Sequence, residues 1–165
     1  MKVIFLDVGG VIVHSGTLGK NRGESPNSSF YYLNQIDPAC MLRLKRVIDA
    51  TGAKVVVSST WRRWDAPVTG IRRAFMDAGF NRVELRDILI GSTPFLPSEK
   101  REDEITAWLA NHPEVDQYFV IDDGPIPGHP QLSNRPNHFE GGFLDVHADE
   151  AIQIMNKVQV QPSPA

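Results

Sequence analysis

Three short apolar runs, each without polar alternation and each stopping at polar side chains, limit the possible folds of this chain most. Val3-Ile4-Phe5-Leu6 stops at Asp7. Lys54-Val55-Val56-Val57 stops at Ser58-Ser59-Thr60. Tyr118-Phe119-Val120-Ile121 stops at Asp122-Asp123. Runs this short, rich in β-branched and aromatic residues, suit strands covered on both faces, as in a parallel sheet. Val83 to Ile90 and Phe143 to Val146 predict two further, weaker strands.

Helical spacing fills the intervals. Asp37-Pro38 supplies a cap and a first-turn proline. Met41, Leu42, Leu44, Val47 and Ile48 follow on one face, and Gly52 stands where the helix ends. Further helices are predicted over about Pro67 to Ala78, Ser98 to Asn111 (Ile105, Trp108 and Leu109 on one face) and Asp149 to Val158. Strands alternating with such helices predict an α/β fold: a three-layer, Rossmann-like domain with a mainly parallel sheet. His14 to Gln35, and Gly124 to Gly142 with four of the twelve prolines, read as loops. A single domain over residues 1–158 and a disordered tail over 159–165 are expected; 165 residues can bury a core without staples.

The net charge of −3 gives no global basic field for nucleic acid, so such contacts must be local. The single cysteine, Cys40, forms no internal disulfide and is expected as a half-buried apolar side chain. The apolar run at the N-terminus is too short for a secretory signal, and no stretch approaches the roughly 20 residues of a membrane helix. A soluble, cytoplasmic protein is expected.

Ligands of open parallel sheets bind at the carboxyl ends of strands. Carboxylates at two such ends and hydroxyls at a third match a magnesium-assisted phosphate site. Mg²⁺ takes hard oxygen ligands, and a carboxylate can attack phosphorus. Taken singly, each motif has a bland counterpart: a strand-end cap for Asp7, helix capping among Ser58, Ser59 and Thr60, a turn for Asp122-Asp123-Gly124-Pro125. Gly9-Gly10 adds a sharp backbone departure where a ligand can approach.

Phe5-Leu6-Asp7-Val8-Gly9-Gly10-Val11-Ile12 resembles the first motif of the haloacid dehalogenase (HAD) superfamily, Asp-x-Asp-Gly-[Thr/Val]. Val56-Val57-Ser58-Ser59 resembles its second, Lys100 or Arg101 its basic third, and Val120-Ile121-Asp122-Asp123-Gly124 its acidic fourth. Ser58 to Arg62, with Arg101, Glu104, Ile105 and Trp108, resembles small HAD domains associated with RNA-repair proteins. The resemblance implies a Mg²⁺-dependent phosphatase. Asp7 would be the nucleophile and a metal ligand, Ser58 and Ser59 would hold phosphoryl oxygens, and Lys100 or Arg101 would neutralise charge. Asp122 or Asp123 would complete the metal shell. By residue chemistry alone, at least one arginine of Trp61-Arg62-Arg63-Trp64, with Arg62 the candidate, is expected to contact phosphate, and one or both tryptophans are expected to pack in the core.

One departure matters. The motif's second Asp, the acid/base and a backbone-carbonyl metal ligand, is Gly9 here. The carbonyl remains and the carboxylate is lost, and a positioned acid/base is worth about 10²–10⁴ in rate. Weakened or specialised turnover, substitution by Asp123 or His14, and an inactivating change all stay open. His129 and His138 receive no role. The short links after the first and third strands leave no room for a cap domain, and an open site suits a large phosphorylated end, such as that of a nucleic acid. Two other classes compete: a HAD-like domain that binds a phosphorylated ligand without turnover, and a flavodoxin- or Rossmann-type nucleotide binder. The last lacks Gly-x-Gly-x-x-Gly after the first strand and any Walker lysine.

Overall fold

The computed structural model describes residues 1–157. The expected tail, 159–165, lies outside them, as does the last residue of the predicted final helix. Four strands form one all-parallel sheet: β1 (Lys2–Leu6), β2 (Lys54–Val57), β3 (Leu89–Ser92) and β4 (Gln117–Ile121), in the order β3-β2-β1-β4. Six α-helices accompany them: α1 (Ser29–Leu33), α2 (Pro38–Thr51), α3 (Asp65–Asp77), α4 (Arg82–Ile88), α5 (Arg101–Ala110) and α6 (Asp145–Asn156). The chain builds outward from β1 through β2 to β3, then crosses back to lay β4 on the other side of β1. The reversal of strand order falls between β1 and β4, where such sheets bind ligands.

Both faces of β1, β2 and β4 are covered, which is why these strands show no polar alternation, whereas the edge strand β3 is largely exposed. Ile4, Leu6, Val55, Val57, Phe119 and Ile121 pack with residues of α2, α3 and α6. Val3, Phe5, Val56 and Val120 face the other way, against Ile105 and Trp108 of α5 and against Ile126. Phe5 is gripped edge-on by Trp108 at 5.4 Å and by Tyr118 at 5.7 Å between ring centroids. Among the described residues the result is an α/β Rossmann-like arrangement with no cap.

Capping chemistry explains the helix limits. The Asp37 carboxylate accepts from the Ala39 N–H at 2.9 Å, with Pro38 behind it. At the far end Gly52 turns left-handed (φ 71°) and its N–H reaches Ile48 O. The same logic overturns the strand expected over Val83 to Ile90. Asn81 accepts from the Glu84 N–H at 2.9 Å and starts α4, so only Leu89 to Ser92 extend. Leu85 fits a helical face as well as a strand, and the cap decides. The strand expected over Phe143 to Val146 is also absent. Phe143 is fully buried and its N–H bonds Val11 O at 2.8 Å, after which α6 starts at Asp145, four residues before the predicted start. The His147 ring caps that helix by accepting the Leu144 N–H at 2.8 Å. α5 starts at Arg101 rather than Ser98, and the first expected loop contains the short α1. Among the described residues no helix is long and apolar enough to cross a membrane.

Candidate active site

Sheet register brings the polar strand ends level. Leu6 pairs with both Val57 and Ile121, and Val57 pairs with Ser92. The ladder runs one step further: Asp7 N–H to Ile121 O at 2.9 Å, Ser58 N–H to Leu6 O at 2.8 Å, Thr93 N–H to Val57 O at 3.0 Å. Thr93, Ser58, Asp7 and Asp122 therefore stand side by side along the carboxyl edge, and all four are buried. Asp7 and Asp122 flank the strand-order reversal.

Arg101, the first residue of α5, enters this row. Its Nη1 lies 2.9 Å from Asp7 Oδ2 and also donates to Asp122 Oδ2. Of the two basic residues singled out in the sequence, Arg101 reaches the carboxylates. Lys100 is exposed at the cap position and makes no ion pair among the described residues. Burial is the main reason the Asp7 carboxyl is pushed up to about 7. The neighbouring Asp122 adds to it, and Arg101 and the Val8 N–H pull it partly back. Burial raises Asp122 as well, against the Gly124 N–H and Arg101. Burial opposes charge on Arg101 too, but the two carboxylates more than offset this and hold it above its ordinary range.

The hydroxyls divide into two kinds. The Ser59 Oγ accepts the Trp61 N–H at 3.2 Å and so caps the 3-10 turn over Thr60–Arg63. The Ser58 Oγ is wholly buried and, among the described residues, has no hydrogen-bond partner; the same holds for Thr93 Oγ1. An unpaired buried hydroxyl carries a penalty of about 1–3 kcal/mol, which a ligand oxygen would relieve. Sequence reasoning missed Thr93, because β3 was sought as a longer, earlier strand and its true end was not located.

The Arg62 guanidinium is engaged elsewhere. It donates to the carbonyls of Thr93, Ser59 and Pro94 and to Glu104 Oε2, the last at 2.9 Å with both side chains almost fully buried. Desolvation dominates over Glu104 in moving the Arg62 pKa, downward. Arg62 is thus placed as a brace under the edge, not as a free arm for phosphate. Phe95 lies beneath it at 3.8 Å, with Arg63 over the same ring at 4.7 Å. Trp61 is half-buried against Tyr32 at 5.1 Å and packs on the core, whereas Trp64 is 60% exposed, so one of the two tryptophans packs inward.

Asp123 lies on the other flank. The carboxylate oxygens of Asp7, Asp122 and Asp123 lie within 4.8 Å of one another, an all-oxygen set that fits a hard cation such as Mg²⁺. Gly10 has φ +76°, and a Cβ there would fall 2.5 Å from Asp123 Oδ2, so the second glycine is required twice over. Gly9 is outside the left-handed region; its added Cβ would meet only the His138 ring, at 3.7 Å. His14 is turned from the site: Nε2 pairs with Asp37 at 2.7 Å, and Nδ1 accepts the Gly16 N–H at 3.1 Å. Cys40 is fully buried rather than half-buried, and burial first, then Asp37, pushes its thiol up to about 11.

A family model described as a HAD domain in Swiss Army Knife RNA repair proteins matches residues 3–153. No curated protein and no solved structure matches the chain. The matched span takes in nearly all of the chain, and the chain belongs to this family of HAD domains.

Proposed function

We propose that this HAD domain is a phosphomonoester hydrolase in which the Asp7 carboxylate attacks phosphorus and carries the phosphoryl group. The observation behind this reading is the position of Asp7: buried at the strand-order reversal, with Arg101 on its Oδ2 and the Ser58 hydroxyl, unpartnered among the described residues, on the adjacent strand end. Arg101 and the hydroxyls of Ser58 and Thr93 would take the oxygens of the transferring group. Asp7 and Asp122 would hold Mg²⁺, with the Gly9 carbonyl as backbone ligand, and the ion's charge would offset that of the phosphate. Attack by Asp7 breaks the bond to the leaving oxygen, and water then releases phosphate and restores the carboxylate.

The substrate class follows from the open edge. Only residues 93–100 separate β3 from α5, and among the described residues no domain closes over Asp7. Phe139, beside the site on the 3-10 turn His138–Glu140, is 91% exposed, a stacking surface for a base. With a family described by RNA-repair proteins, these features support a phosphorylated nucleic-acid end as substrate. A second reading, a domain that binds such an end without turnover, is favoured by Gly9 alone, which brings no carboxylate.

The test is phosphate release from an aryl phosphate with and without Mg²⁺, together with hydroxylamine trapping of an acyl phosphate. Mg²⁺-dependent release that Asp7→Asn abolishes is expected. Release that survives Asp7→Asn removes the nucleophile assignment. Phosphate binding without release from any substrate establishes the binding reading.

A further inference from the structure

Hydrolysis through a carboxylate nucleophile needs a group that gives a proton to the leaving oxygen and later takes one from water. Position 9, two residues past Asp7, carries no side chain to do this. The backbone does not demand glycine there, because Gly9 is not left-handed. Space is what differs. A Cβ on Gly9 points at the His138 imidazole, with Nε2 at 3.7 Å and Cε1 at 3.9 Å. The ring stands where a longer side chain at position 9 would extend.

The other histidines are engaged. His14 is fixed between Asp37 and the Gly16 N–H. His112 Nδ1 bonds Trp108 O at 2.7 Å and its ring stacks on Trp108 at 3.6 Å. His129 holds Tyr118 Oη and Thr106 Oγ1, and His147 caps α6. Among the described residues the His138 ring makes no hydrogen bond, and its Nε2 lies 3.9 Å from Asp123 Oδ2. The ring is 35% exposed, open to substrate and water. Its backbone is anchored: His138 O accepts both the Ser15 N–H at 3.0 Å and the Ser15 Oγ–H at 2.7 Å. Asn137 caps the turn that presents it.

We propose that His138 occupies the post left empty at Gly9 and is the proton-transfer residue of this site. The role rests on the phosphatase reading above and deepens it. In the first step the Asp7 oxygen–phosphorus bond forms as the bond from phosphorus to the leaving oxygen breaks. The electron pair stays on that oxygen, which receives the Nε2 proton of the His138 imidazolium. In the second, the now neutral Nε2 takes a proton from water as its oxygen bonds phosphorus. The Asp7–phosphorus bond breaks, its electrons return to the carboxylate, and His138 is protonated again. One water is consumed, and one alcohol and one phosphate are formed. The loop that carries this residue is far from Gly9 in sequence, so no motif spacing announces it.

Leaving-group dependence provides the test, because a proton donor matters most where the leaving oxygen is a poor one. His138→Ala and His138→Gln are compared with the parent on an alkyl or ribose phosphate and on an aryl phosphate whose phenol is acidic. Melting temperature checks the fold; among the described residues the His138 side chain makes no hydrogen bond, so little change is expected there. The proposal expects kcat on the alkyl phosphate to fall by roughly 10²–10⁴-fold, with a much smaller loss on the aryl phosphate. It also expects Gly9→Asp to restore alkyl-phosphate turnover in the His138→Ala background, where the ring no longer fills the space. Equal losses on both substrates, or no loss, with no rescue by Gly9→Asp, overturn the role of His138 while Asp7-dependent turnover in the parent leaves the phosphatase reading standing. A parent that releases no phosphate from either substrate overturns both.

Discussion

At the scale of single residues, the site holds destabilising features that a ligand would relieve. Ser58 is the plainest. Its hydroxyl is buried and unpaired among the described residues, so Ser58→Ala is expected to leave stability unchanged or raise it by about 1–3 kcal/mol while phosphate turnover falls. Urea unfolding and steady-state kinetics on the same samples separate the two effects. Asp7 behaves similarly through its charge. Its carboxyl is held at about 7, above the ordinary 3.8, chiefly by burial. The folded state therefore favours the neutral acid. The stabilising contribution is full below the ordinary carboxylate range and is lost as pH rises through about 7. Metal-free Asp7→Asn should accordingly melt higher than the parent at pH 8, by about 2–4 °C per kcal/mol, and match it near pH 4. Thermal melts across that range check the sign. Asp7, Ser58 and Asp122 were legible in the sequence because each ends an apolar run. Thr93 and His138 were not, since their place depends on a strand end and a loop that local patterns do not mark.

At the scale of elements, caps and buried ion pairs decide what apolar patterning leaves ambiguous. Asn81 turns Val83 to Ile88 into a helix that the residue types alone leave undecided, and Gly52 ends α2 where expected. The Arg62–Glu104 pair has the same standing in tertiary packing. It ties the 3-10 turn after β2, the Thr93 and Pro94 carbonyls after β3, and the first turn of α5 into one unit; Glu104 also accepts the Leu96 N–H. That unit places Arg101 over Asp7. Arg62→Met leaves a buried carboxylate unpaired and is expected to cost about 3–5 kcal/mol, measured by denaturant unfolding. The double change Arg62→Met/Glu104→Leu should recover much of that stability. A phosphate-binding role for Arg62 predicts instead a raised KM with stability intact. In the sequence an Arg next to phosphate-site hydroxyls reads as a phosphate ligand, and only the position of Glu104 shows where its donors go.

At the scale of the whole molecule, an uncapped edge with Phe139 outermost predicts a preference for long substrates. The domain should hydrolyse a phosphorylated oligonucleotide end with lower KM than a mononucleotide, and Phe139→Ala should raise the oligonucleotide KM without changing turnover of an aryl phosphate. Steady-state kinetics on the three substrates decide it, and equal KM values would count against a stacking surface. With a net charge of −3, the affinity must come from the site itself and not from a global field. The sequence by itself determined the parallel α/β class, the family and the sheet edge along which the candidate site lies. Strands buried on both faces must be continuously apolar, and their polar termini then mark the sheet's edge. Tertiary structure alone decided which basic residue meets Asp7, which hydroxyls stay free, and that the His138 ring fills the space beside Gly9. Those outcomes depend on where separate segments cross in space, and contacts between distant segments leave no period or spacing in the chain.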